Sequence, residues 1–198
     1  VTGHGVRTVD GLDKYGYYTF LAAKQHQNSV VNMGFDVVNV SLARRVPDDI
    51  TVLMIADQRT PFSAEEEEHL REYIERGGNL FVLGEPKRQE VMNPWLNKYL
   101  GVELTDGTLV QYRDKDLNPD ELRAPLTAEA SRVSPFFVAK FVSLPTATGI
   151  ERVADRGFSF VPLAQSDTLA EEVKIRENRS YRVWNELESL DYAVSPLE

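Results

Sequence analysis

Residues 50–86, ITVLMIADQRTPFSAEEEEHLREYIERGGNLFVLGEP, limit the fold more than any other stretch. The segment opens and closes on apolar runs, ITVLMIAD (50–57) and NLFVLGEP (79–86). Runs without polar alternation suit strands buried on both faces, as in parallel sheets covered by helices. Between them lies a helix whose ends are both written in the sequence. Ser63 is a good N-cap, and Glu66 three residues later completes a capping box. The EEEE run at 65–68 falls in the first turn, where it meets the positive end of the helix dipole. Leu70, Tyr73 and Ile74 form the apolar stripe, Arg76 lies in the last turn, and Gly77-Gly78 end the helix.

The flanking segments extend this pattern. KYGYYTFLAAKQHQNSVVNM (14–33) has a loose helical spacing at Tyr17, Phe20, Leu21 and Val31, with Asp13 as cap and Gly34 at the C-terminal end. FDVVNVSL (35–42) is rich in β-branched residues and predicts a strand. QEVMNPWLNKYL (89–100) predicts a short helix broken near Pro94, and GVELTDGTLVQY (101–112) two strands around an Asp106-Gly107 hairpin signal. The fold expected is α/β: an open, mostly parallel sheet flanked by helices. The core covers about residues 1–112 of one domain spanning 1–198. A β-rich C-terminal portion, about 113–198, is expected to pack on it, with strands in 135–153 and at 158 onward. The link 43–49 is shorter than the roughly dozen residues of a parallel crossover. Either an extended loop crosses the sheet edge there, or that strand pair is not simply parallel.

Composition excludes several functions. The formal net charge is −9, which argues against nucleic acid and anionic lipid, since both demand clustered Lys and Arg. There is no cysteine, so disulfides, thiolate catalysis and Cys-ligated metals are absent. No run approaches the ~18 apolar residues of a membrane span.

Candidate chemistry gathers at one edge. VTGHG (1–5) is expected to end the first, central strand and turn through Gly3-His4-Gly5. Asp57, Gln58 and Arg59 follow the strand at 50–57, and Glu85 and Lys87 follow the one at 79–84. Open α/β sheets bind ligands beyond the carboxyl ends of their strands. His4, Asp57, Gln58, Arg59, Glu85 and Lys87 are therefore the expected ligand or partner edge. GHGVR is not the G-x-G-x-x-G fingerprint, because Thr8 stands where the third glycine belongs, and the P-loop lysine is missing. No nucleophile elbow and no zinc-protease helix motif is present, and His26 and His69 fall in predicted helices. The EEEE side chains point around a helix instead of converging on one ion. The expectation is no catalytic residue, metal or cofactor. A hydrolase using His4, Asp57 and Glu85 is the alternative from the enzyme class. A carbohydrate-binding domain with an exposed platform on Trp95, Tyr181 or Trp184 is another, although large aromatics mostly bury.

The order of GHG, VPDDITVLMIADQRTPFSAEEEEHLREYIERGGNLFVLGEP and WLNKYLGVELTDGTLVQ resembles the auxiliary component of ABC transport systems of the gliding-motility type. The matching features are the VPDD turn, the P-x-S turn opening an acidic helix, the GGNLFVL strand and the LGVEL segment. They cover about residues 1–112, and PLAQSDTLAEE extends the likeness more weakly. The family commonly has an acidic residue after GHG, where this chain has Val6. The resemblance implies a domain similar to flavodoxins and class I glutamine amidotransferases, without the nucleophilic cysteine of the latter. It further implies a periplasmic position, anchorage by flanking transmembrane helices in the full-length protein, and ABC transporter permease or other membrane subunits as partners.

Overall fold

The computed structural model describes residues 1–7, 9, 17–111, 121–135, 137–165 and 181–184. The chain divides into two compact units. One comprises 1–84 with 90–95, the other 85–89 with 96–198.

The first unit is built on the predicted strand–helix–strand segment. Strand β1 (Val52–Ala56) and strand β2 (Asn79–Leu83) pair in parallel, Val52 opposite Asn79 through Ala56 opposite Leu83. Helix α2 (Ala64–Glu75) joins them. Its start is the predicted capping box: the Ser63 hydroxyl accepts from the Glu66 N–H, and the Glu66 carboxylate accepts from the Ser63 N–H at 2.8 Å. Leu70 and Tyr73 are buried, as are Leu53 and Ile55 of β1. Gly78 is required by packing, since a Cβ there would stand 2.4 Å from the Tyr73 ring.

Hydrogen bonds extend this pair to its other side. The Val1 nitrogen donates to the Met54 carbonyl at 2.8 Å, and the Arg7 N–H to the Ala56 carbonyl at 3.0 Å. Thr2 forms an isolated parallel bridge to Ser41, its N–H donating to the Val40 carbonyl at 2.8 Å. Residues 1–2 thus run between 40–41 and β1, but as an isolated bridge and not as the central strand expected, since the sheet itself consists of β1 and β2. The short 43–49 link is the extended loop of the two alternatives. It carries the chain from 41 to β1, held by the fully buried Val46 and by Arg76 guanidinium bonds to the Val46 and Pro47 carbonyls.

Two further expectations need correction here. The helix predicted over 14–33 is regular only in α1 (Tyr18–Leu21) and in one 3-10 turn, Val30–Met33, with Gly34 in the left-handed region as foreseen. Residues 14–16 lie outside the described set. The physical reason is legible: Ser29 and the β-branched Val30 and Val31 are weak helix formers, and His26 and Asn32 take part in local turns instead. The predicted strand 35–42 keeps only its end, because residues 35–39 have no ladder partner among the described residues.

Helix α3 (Gln89–Leu100) begins in the second unit, runs through the first and ends in the second. Pro94 does not break it. Met92, Trp95 and Leu96 are all buried on either side of the proline, and that burial outweighs one lost backbone bond.

The second unit is β-rich. Strands β3 (Val102–Leu104), β4 (Thr108–Gln111) and β5 (Glu121–Pro125) precede helix α4 (Ala128–Val133). Strands β6 (Phe141–Pro145), β7 (Ile150–Arg152) and β8 (Tyr181–Trp184) follow. All three pairings, β3–β7, β4–β8 and β5–β6, are antiparallel. The architecture is therefore mixed α/β with small sheets, parallel only in part. β3 and β4 flank Asp106-Gly107 as predicted, but each pairs with a later strand, so they form no hairpin. Among the described residues the strand expected from 158 is reduced to an isolated bridge, Leu126 with Ala164, flanked by bonds from the Thr127 N–H to the Leu163 carbonyl and from the Gln165 N–H to the Pro125 carbonyl. The Ser/Asp/Thr cluster beyond it lies outside the described residues.

Candidate functional site

The turn after residues 1–2 is built by three successive positive φ angles, 90° at Gly3, 55° at His4 and 65° at Gly5. Glycine adopts such angles without steric cost, and histidine does so at some. Gly5 is needed for a second reason. A Cβ on it would lie 3.0 Å from the Arg59 Cβ, so the Arg59 stem passes where a side chain would stand. The His4 carbonyl accepts from the N–H groups of Arg59 at 2.8 Å and Thr60 at 3.2 Å. The two loops are thereby stitched together, as expected of neighbouring strand ends.

The His4 ring finds partners the sequence did not suggest. Its Nε2 is 2.9 Å from Glu66 Oε1 and its Nδ1 is 3.3 Å from the Thr60 hydroxyl. An ionised carboxylate only accepts, so Nε2–H donates to Glu66 and a neutral ring accepts at Nδ1 from Thr60. Both side chains are 15% exposed. The ring also stands edge-on to Phe62, centroids 4.9 Å apart. Burial pushes the Glu66 carboxyl up, but the Ser63 N–H, the His4 ring and the Ser63 side chain together hold it below its ordinary value. One carboxylate thus caps α2 and braces the GHG turn.

Asp57 is 1% exposed, with φ 50°. Its Oδ2 accepts from Arg59 Nη2 at 2.8 Å and Nε at 3.2 Å, and from Arg7 Nε at 3.4 Å. Gln58 is fully buried: its Oε1 accepts from Trp95 Nε1 at 2.8 Å, and its Nε2 donates to the Thr60 carbonyl at 2.9 Å. Trp95 is 2% exposed, which excludes it as a carbohydrate platform. Tyr181 and Trp184 lie on β8.

The first unit therefore brings His4, Asp57, Gln58 and Arg59 together and adds Arg7, Thr60, Phe62, Glu66 and Trp95. His4 bonds to Glu66 and Thr60, whereas Asp57 bonds to the two arginines. Glu85 and Lys87 belong to the second unit, where Lys87 has φ 66°. Of the other histidines, His69 lies in α2 and its Nδ1–H donates to the Leu42 carbonyl at 2.7 Å; His26 sits in a turn, not a helix. Among the described residues there is no cluster of three metal-ligating side chains, and no helix long and apolar enough to cross a membrane.

Fold and site together define a mixed α/β protein with a partly parallel sheet and a cross-braced polar loop edge. The chain belongs to the family described as the ABC-type uncharacterized transport system, an auxiliary transport family whose match covers residues 2–192. No curated protein matches it. Among solved structures it is similar to the mmIFT52 N-terminal domain, at 19% identity and a TM-score of 0.54. That likeness covers 72% of this chain and 65% of the other, and at such identity it speaks to fold alone.

Proposed function

We propose that the chain is a non-enzymatic auxiliary domain of a membrane-anchored ABC-type transport system of the gliding-motility kind. It stands on the extracytoplasmic face and binds a transporter subunit or an extracytoplasmic ligand. The observation that carries this reading is the family match over nearly the whole chain. The loop edge supports the non-catalytic part. His4 is shared between a helix-capping carboxylate and a threonine, Asp57 between two arginines, and Gln58 is bonded to a buried tryptophan. Side chains committed to such bonds hold loops in place, whereas a general base needs access to a substrate proton. The order 40–41, 1–2, β1, β2 supports a flavodoxin-like reading of the first unit.

The experiment is affinity purification of the full-length protein from solubilised membranes. The reading expects ABC transporter permease and ATPase subunits to co-purify. Recovery of the protein alone from the soluble fraction would overturn it.

A further inference from the structure

We draw no further inference here: the strongest candidate, the exposed apolar side chains of Phe141, Leu144 and Ile150 on β6 and β7 of the second unit, carries none, because nothing in the structure shows what covers them.

Discussion

Replacing Asp57 with Asn tests whether the polar loop edge is a structural brace. The change keeps shape and removes one charge at a site 1% exposed. Three N–H groups from Arg59 and Arg7 converge on the oxygen affected. Breaking one side of a buried ion pair costs about 3–5 kcal/mol when the remaining charge stays buried. Here Arg59 is 49% exposed and can turn to water, and Asn keeps one accepting oxygen. Asn also tolerates the left-handed backbone at φ 50°. The net loss expected is about 2 kcal/mol, or roughly 4–8 °C in Tm for a chain of this size. Circular-dichroism melts of the purified domain measure it, with Asp48→Asn as control. Asp48 is 75% exposed and pairs with Arg45 and Arg76 at the surface, so its loss should leave the melt unchanged. A Tm for Asp57→Asn within about 1 °C of the parent, well short of the shift that about 2 kcal/mol gives, would refute the reasoning.

Trp95→Phe leaves Gln58 Oε1 buried without its donor, and should destabilise by about 1–3 kcal/mol in urea unfolding, with an unchanged m-value. Ser63→Ala removes half of the capping box and should cost about 1 kcal/mol by the same measurement. Glu66 carries a pH signature: its folded value lies below its ordinary 4.5, so its stabilisation is full above that range and fades as pH falls below it. Glu66→Gln should flatten the acid limb of a Tm-against-pH curve, and an unaltered limb would contradict the assignment.

The strand–helix–strand unit was legible because each signal lay within a few residues of its effect. Ser63 and Glu66 meet across one helical turn, and each apolar run marks its own strand, although the burial on both faces expected of them is not found: Val52 is exposed and no residue of β2 is buried. Over 17–33 the apolar spacing suits a helix, but weak propensity at Ser29–Val31 prevails and regular helix is confined to α1 and one 3-10 turn. Pro94 is a local helix-breaking signal, whereas the burial of Trp95 and Leu96 that keeps α3 continuous is a tertiary effect with no local mark. Strands β3 and β4 were placed correctly, but their partners lie dozens of residues away and no local pattern names them. At the loop edge, the glycines around His4 announced a turn. The His4–Glu66 bond joins residues 62 positions apart, and Glu66 already had a sufficient role as a capping residue. Trp95 was weighed as a core residue, yet its bond to Gln58 had no sequence signal.

The measurement that bears most directly on the account is the composition of the complex purified with the full-length protein from membranes. The account predicts permease and ATPase subunits of an ABC-type system in near-stoichiometric amounts, retained when His4 is replaced by Ala. A protein recovered free of any transport subunit, or a turnover abolished by His4→Ala, would contradict it.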